Sequence, residues 1–382
     1  MKFVLAPDSF KESMTAKEVC KAMTQGIKRV YPAAEIISVP MADGGEGTTD
    51  SLVDATSGQK ISVTVTGPLG KPIKAYYGIL GDQKTAIIEM AQASGLTYVT
   101  KKDRTSDTIK KTTTFGTGEL INDALEHNVK RIIIGLGGSS TNDGGSGMAQ
   151  AIGVKFFNKN KQEITKKLGG GDLSKIFKID LSNINPKIKN TKFLLASDVT
   201  NPLIGKNGAS AVFGPQKGAD EKTVKELDKN LNHYAQIIKE TTGHNVATIP
   251  GSGAAGGLGA GLLAFTNAQI QPGVKVVAHE VKLEEKIKDA DYVFTGEGGT
   301  DFQTQFGKTP FGVAQIAKKY DIPVISLAGY LGEGINQLYA DGFTAIFGIL
   351  AKAEDISQAL IDGPQNVTRT TENIVRLIKK IR

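Results

Sequence analysis

The chain has 382 residues, room for two or three domains at roughly 150 residues each, and its 40% hydrophobic and 22% charged content is that of an ordinary soluble protein with a sizeable core. Its net charge of +7 comes with lysines scattered along the sequence and no basic run interleaved with aromatics, which makes a nucleic-acid binder a weak reading. A single cysteine, Cys20, excludes an internal disulfide framework, and the lack of any apolar run of about 18 residues excludes a membrane span.

The N-terminal segment reads as a short strand, too short for a signal-peptide core, so a cytoplasmic location is the default expectation. Phe3–Ala6 is that strand. It ends at Pro7 and delivers Asp8, Ser9 and Lys11 just past its C-terminus, where open α/β sheets bind ligands. Thr15 then caps a helix, with Glu18 completing a capping box. Ala16, Val19, Cys20, Met23, Ile27 and Val30 recur at helical spacing and form one apolar face, so Cys20 is a core residue. A second strand, Ile36–Val39, leads into a loop holding Asp43 and Glu46 among glycines. Two carboxylates three apart suit a metal or proton transfer; capping of the helix over Thr49–Ala55 is the alternative.

The pattern changes near residue 60. Lys60–Val65, Ile73–Leu80 and Thr85–Met90 are β-rich with short turns, which marks the start of a second domain. The hydroxyl run Thr112–Thr114 precedes a helix over Leu120–Glu126 and suits either a phosphate or sugar site or a capped helix start. The apolar run Arg131–Ile134 is a buried strand. It feeds Gly135–Gly147, with six glycines, hydroxyl and amide groups from Ser139 to Asn142, and Asp143, ahead of a helix starting at Met148. Such a turn lets the backbone approach a ligand and points N–H groups at an anion.

Val154–Phe157 and Phe193–Ala196 are further strands. The second ends at Asp198 and Asn201, both site candidates. Lys217, in a Gly/Pro loop, suits a phosphate or else a plain surface position. Glu221 to Thr241 is an amphipathic helix used for packing. Gly251–Gly257 matches a dinucleotide fingerprint by letters only: the strand before it is short and broken by Pro250, and no Asp follows about 20 residues on. It reads better as a glycine-rich helix start forming a wall of the site. Alternating α/β pattern returns with the strand Tyr292–Thr295, a loop carrying Glu297 and Asp301, and Gly307–Pro310 opening a helix. Phe302 stands where the first glycine of a phosphate-binding P-loop belongs, so that reading fails. Val324–Ala328 and Ala345–Phe347 are strands, and a helix from about Asn366 closes the chain.

The four histidines stand in no metal-ligand spacing, and no GxSxG or cysteine nucleophile context is present. Acids for a divalent ion, lysines and glycine amides for phosphates and a spare carboxylate as base are the parts for phosphoryl transfer. These parts point to a phosphate-ester or nucleotide enzyme and do not name the acceptor.

The motifs APDSFKESMTA at 6–16, PMADGGEGT at 40–48, TTTFGTGELI at 112–121, GLGGSSTNDGG at 135–145, SDVTNPL at 197–203, GASAVFGPQKGA at 208–219, PGSGAAGGLGAGL at 250–262, TGEG at 295–298 and GKTP at 307–310 together resemble the bacterial glycerate kinase family (type I) over essentially the whole chain. The resemblance implies transfer of phosphate from ATP to D-glycerate with Mg²⁺, typically at the 2-hydroxyl, by an α/β protein of two domains. One domain is Rossmann-like with a parallel sheet, expected at residues 1–60 plus 283–382. The other is an inserted mixed-sheet α/β domain, expected at 61–282, with the active site in the cleft between the two. Glycerate and ATP are the expected partners, with no nucleic acid or membrane.

In that reading the ATP phosphates lie against Gly137, Gly138, Ser139, Ser140 and Asn142, with Gly253 and Lys308 also on the nucleotide. Lys11 or Lys308 counters charge. Asp198 is the first expected base and Asp43 the second, with Asp8 among the catalytic acids. Asp143 and Asp198 are the expected metal ligands. Ser9, Glu46, Asn201, Glu297, Asp301 and Lys217 are the expected substrate contacts. One departure stands out. The family usually reads GEGRID where this chain has Gly296–Asp301, so its arginine is Gly299 here, and Asp107 stands near another usual arginine. Arginine pairs two-pronged with carboxylate and phosphate. Its loss keeps open a related hydroxy acid as substrate, 3-phosphoglycerate as product, or a non-catalytic ligand-binding homologue, unless Arg104 or a lysine compensates. An oxidoreductase using Gly251–Gly256 is the remaining rival.

Overall fold

The computed structural model describes residues 1–381. They divide into two units. The first comprises Met1–Asp43, Asp50–Ser57 and Pro272–Arg382, and the second Gly44–Thr49 and Gly58–Gln271.

The first unit is built on an all-parallel sheet in the order Ala345–Gly348, Val324–Leu331, Tyr292–Thr300, Lys2–Leu5, Glu35–Ser38. The chain winds outward in one direction from Lys2–Leu5 to Glu35–Ser38, and in the other from Tyr292–Thr300 to Ala345–Gly348. The switch point of the topology therefore lies between Lys2–Leu5 and Tyr292–Thr300, the place where open α/β sheets bind ligands. Helix Ala16–Lys28 starts with the expected capping box between Thr15 and Glu18. Its face of Val19, Cys20, Met23 and Ile27 packs with Val367, Val375 and Ile378 of the last helix, Gly363–Ile381, over Phe3, Leu5 and Phe294. Gly26 sits at this helix crossing, where an added Cβ would come 2.5 Å from the Thr368 carbonyl oxygen. Helix Gly273–Glu280 joins this unit because Val274 packs against Gly312 of helix Thr309–Lys318. The strand expected to stop at Thr295 runs on to Thr300, since its pairing with Val324–Leu331 continues to Thr300 and Leu331. Glu297 and Gly299 thus belong to a strand, not to a loop.

The second unit holds a six-stranded mixed sheet in the order Gln269–Gln271, Lys192–Ala196, Arg131–Gly135, Thr85–Glu89, Pro72–Ile79, Gln59–Thr66. The first four are mutually parallel and the last two form an antiparallel hairpin against them. A small antiparallel pair, Lys155–Phe157 with Lys178–Asp180, lies apart from it. The core takes in Ile88, Leu120, Ile132, Ile134, Met148, Phe156, Tyr234 and Leu258. Gly44–Thr49 belongs here because the Gly47 and Thr49 N–H groups donate to the buried Glu89 carboxylate at 3.3 and 2.7 Å. The helix expected from Leu120 begins at Phe115. Gly116 and Gly118 hide it from a propensity reading, yet each is needed, since an added Cβ would overlap the carbonyl oxygens of Thr66 and Met148. No strand precedes Pro250; residues 244–250 are turns, in keeping with their polar content and the left-handed φ of +85° at Gly251. Among the described residues no helix is long and apolar enough to cross a membrane.

Candidate active site

The parallel sheet of the first unit brings three acids to its C-terminal edge. Asp8 follows the strand Lys2–Leu5, Asp43 follows Glu35–Ser38, and Glu297 lies in Tyr292–Thr300. Backbone pairing continues past the strand ends, with Ala6 N–H on the Phe294 carbonyl at 2.7 Å, Asp8 N–H on Gly296 at 2.9 Å and Met41 N–H on Pro7 at 2.9 Å. Asp8 accepts from the Ser9 N–H at 2.6 Å and from the Thr309 hydroxyl. Loss of solvent, then the charge of Asp43 and more weakly that of Glu297, pushes the Asp8 carboxyl up to about 7, against the pull of the Thr309 and Ser9 donors. Glu297 is 8% exposed. It accepts from Thr304 Oγ1 at 2.7 Å and Thr300 Oγ1 at 3.2 Å, and pairs with Lys308 Nζ at 3.1 Å. Burial raises its pKa, opposed by Thr304 and Lys308. Lys308 also donates to the Gly299 carbonyl at 3.2 Å. The arrangement is a carboxylate poised near neutrality beside an acid–lysine pair, a set suited to proton transfer at an anionic substrate.

The glycine stretch of the second unit is built differently. Of its residues 135–147, only Gly137 and Gly138 are exposed. Asp143 is fully buried. It accepts from the Thr114 N–H and hydroxyl, both at 2.8 Å, from Gly145 N–H at 3.1 Å and from Gly147 N–H at 3.2 Å. The helix that follows, Ser146–Ala151, is short and its start is buried. The anion at its first N–H groups is thus the chain's own Asp143, and the expected use of that helix end for a ligand is corrected. Of the donors to Asp143, the expected metal ligand, three reach Oδ2 and one reaches Oδ1, and burial raises its pKa.

Lys217 is not a surface lysine. It is 3% exposed, and its Nζ donates to Ser139 Oγ and the Thr141 carbonyl, both at 2.7 Å. Burial lowers its pKa to about 7, with the charge of Asp143 acting the other way. It is a brace beneath the loop. Ser140, an expected nucleotide contact, donates to the Ser94 carbonyl at 3.0 Å, and Asn142, another, accepts from Ser210 at 3.0 Å; both side chains are buried. The hydroxyls of Thr112–Thr114 are buried around the same loop. Gly253 packs on the Asn201 and Pro202 carbonyls, with its N–H on the former at 3.0 Å. The glycines after it serve close packing. Ala255, Gly256 and Gly257 are left-handed inside helix Ala254–Phe265, Gly144 N–H donates to the Gly256 carbonyl at 3.1 Å, and a Cβ on Gly256 would overlap the Thr141 carbonyl oxygen.

Asp198 is exposed at the end of Lys192–Ala196, and Asn201 closes its own loop by donating to the Asn207 carbonyl at 2.8 Å. Lys11 and Glu46 are exposed. Glu46 belongs to the second unit and Asp43 to the first. Asp301 caps the turn Phe302–Phe306 by accepting from Gln303 N–H at 2.8 Å. Arg104 is spent on the carbonyls of Val99 and Leu96. Among the described residues no three His, Cys, Asp or Glu side chains stand close enough to hold a metal. Sequence reasoning missed Glu89, whose only signal is an acid ending an apolar strand, and Thr309, which stood in the GKTP motif behind its lysine.

Fold and site together define an α/β protein with the equipment of a phosphotransferase. Residues 3–379 match the glycerate kinase family, and the chain belongs to that family. It is 50% identical to a glycerate kinase of Halalkalibacterium halodurans, over 97% of this chain and 96% of the relative. It is 48% identical to the glycerate 2-kinase of Escherichia coli K12, over 98% of this chain and 97% of the relative. A crystal structure from Salmonella typhimurium LT2, provisionally named glycerate kinase 2, matches with a TM-score of 0.89 at 44% identity, over 100% of this chain and 98% of that one.

Proposed function

We propose that this chain transfers the γ-phosphoryl group of ATP to the 2-hydroxyl of D-glycerate, giving 2-phosphoglycerate and ADP. The observation that carries the mechanism is Asp8, a switch-point carboxylate pushed up to about 7. It accepts the proton of the acceptor hydroxyl as that oxygen bonds to the γ-phosphorus and the bond to the β–γ bridging oxygen breaks. A base with a pKa near the working pH is the most effective in this role. Asp43 raises the basicity of Asp8 by repulsion. Lys308, tied to Glu297 and the Gly299 carbonyl, fixes the edge of the site and adds positive charge beside it. The exposed backbone of Gly137 and Gly138 is the part of the glycine stretch open to phosphates.

Magnesium fits this donor set as a cation held chiefly by phosphate oxygens and water, with one or two carboxylates. Asp198, exposed at a strand end, is the residue that would hold it. The ion, when bound, neutralises charge on the β- and γ-phosphate oxygens. Metabolic small molecules are the partners in this reading, and the cytoplasm is the compartment.

The test is ADP release from ATP, Mg²⁺ and D-glycerate, with the product identified by phosphorus NMR. The expected product is 2-phosphoglycerate. A 3-phosphoglycerate signal would keep the kinase and overturn the regiochemistry. Turnover only with another hydroxy acid would move the substrate.

A further inference from the structure

Gly307-Lys308-Thr309 has the lysine and threonine of a phosphate-binding loop without the loop that would aim them at phosphate. The structure gives both side chains to acids of the chain itself. Gly307 turns in the left-handed region, at φ +104°, and helix Thr309–Lys318 starts directly after Lys308, which makes no side-chain cap bond to it. Lys308 Nζ pairs with Glu297 at 3.1 Å. The Thr309 hydroxyl, on a residue with no solvent exposure, donates to Oδ2 of Asp8, 301 residues away along the chain. The other oxygen of Asp8, Oδ1, accepts from the Ser9 N–H at 2.6 Å and the Ser9 hydroxyl at 3.3 Å. Donors on both oxygens fix the plane of the carboxylate.

We propose that Thr309 is a positioning residue for phosphoryl transfer: its hydroxyl holds Oδ2 of Asp8 while Ser9 holds Oδ1, so that the carboxylate meets the acceptor hydroxyl in one orientation. The inference rests on the functional reading above, in which Asp8 is the base. The same contact acts on charge, because a hydroxyl that donates to a carboxylate favours its ionised form. Burial, Asp43 and Glu297 all raise the pKa of Asp8, and of the groups that lower it Thr309 is the strongest, ahead of Ser9. The nearby cations do little of this work: Lys308 is paired with Glu297, and Lys11, three residues beyond Asp8, is exposed. Without the Thr309 donor, Asp8 would keep its own proton at neutral pH and could not take another.

Thr309→Val keeps the shape of the side chain and removes the donor, and Thr309→Ser keeps the donor. The titration midpoint of Asp8 is read by carboxyl carbon NMR on the full chain without substrates, its signal assigned by loss in Asp8→Asn. The pH profile of kcat/KM for D-glycerate, with ATP and Mg²⁺, is read beside it. Thr309→Val should move both midpoints up by about one pH unit or more, the effect of one hydrogen bond to a charged group. Its kcat/KM at pH 7 then falls about fivefold, while the KM for ATP stays within about twofold. Thr309→Ser should keep both midpoints near those of wild type. Wild-type midpoints in Thr309→Val, or a Thr309→Ser variant displaced as far as Thr309→Val, overturn the role of the hydroxyl and leave the kinase reading intact. An NMR midpoint that moves in Thr309→Val while the rate profile stays in place shows that Asp8 is not the base, and overturns the functional reading of Asp8 and this inference with it.

Discussion

Asp8 and Asp143 are the same residue type in the same kind of place, a loop just beyond a strand of an α/β sheet, and both have raised pKa values through burial. Their surroundings assign them opposite roles. Asp143 is held by four donors from Thr114, Gly145 and Gly147, and the positive end of a helix is closed by it. Asp8 has the Ser9 and Thr309 donors but faces Asp43 and Glu297, two further negative charges. A carboxylate held by several buried donors organises backbone. One under like-charge pressure is ready to take a proton. The difference lies in the neighbours, since the residue type and its burial are shared.

The largest effect expected from this contrast is on folding. Asp143→Ala would leave the Thr114 hydroxyl and three buried N–H groups without an acceptor, at roughly 1–3 kcal/mol for each group not reached by water. A loss of about 3 kcal/mol or more is expected by urea denaturation, with hydrogen exchange rising first in residues 135–151. A variant as stable as wild type would mean that Asp143 does not hold the loop, and would reopen it as a ligand-binding acid.

Asp8→Asn is expected to keep the fold and lower kcat by about 10²-fold or more. In wild type, kcat/KM should rise as pH increases through about 7, where Asp8 loses its proton. The stability of the first unit should move the other way. The folded pKa of about 7 is above the ordinary 3.8, so between these values the folded state binds the proton and the unfolded state does not. This contribution is fully present below about pH 4 and is lost as pH rises through about 7. Asp8→Asn should flatten that slope in hydrogen exchange of the first unit. An unchanged pH–rate profile in the variant would remove Asp8 as the base.

Much of the fold was legible because apolar runs and glycine–acid loops alternate regularly, and the capping box at Thr15 and Glu18 marks its helix by letters alone. The interior of the site was not. GLGGSSTNDGGSG and PGSGAAGGLG read as ligand-binding loops, but glycine is required equally where a backbone meets a ligand and where two backbones meet each other, as Gly256 meets Thr141. Lys217 looked like a surface or phosphate lysine because nothing in its local sequence reveals a carbonyl and a hydroxyl 2.7 Å from its amine. The contact of Thr309 with Asp8 joins positions 301 residues apart, which single-sequence reading does not supply.

Lys217→Met sharpens the contrast between the units with a smaller effect. The buried amine makes two hydrogen bonds, so the variant should be about 2 kcal/mol less stable near pH 9, and its KM for ATP should rise about fivefold as the loop loosens. The pH dependence is opposite to that of Asp8. The folded pKa of Lys217, about 7, is below its ordinary 10.5, so its contribution is present above the unfolded value and is lost as pH falls through about 7. Hydrogen exchange should therefore show wild type losing its advantage over Lys217→Met in the second unit as pH falls from about 10.5 to about 7, with little further change below, while the first unit gains only as pH falls from about 7 towards 4. Equal pH slopes in the two proteins would mean that Lys217 stays charged in its buried site.

The smallest expected effect is at Asp198. As an exposed carboxylate that would hold magnesium, its change to Asn should raise the Mg²⁺ concentration needed for half-maximal rate by about tenfold or more, and excess Mg²⁺ should restore most of the turnover. The comparison with Asp8→Asn is what makes this informative. A base cannot be replaced by more metal, whereas a weakly held metal ligand can. If Asp198→Asn lost about 10²-fold at saturating Mg²⁺, and Asp8→Asn lost little, the proton acceptor would belong to the second unit, and the raised pKa of Asp8 would reflect only three acids gathered at one sheet edge.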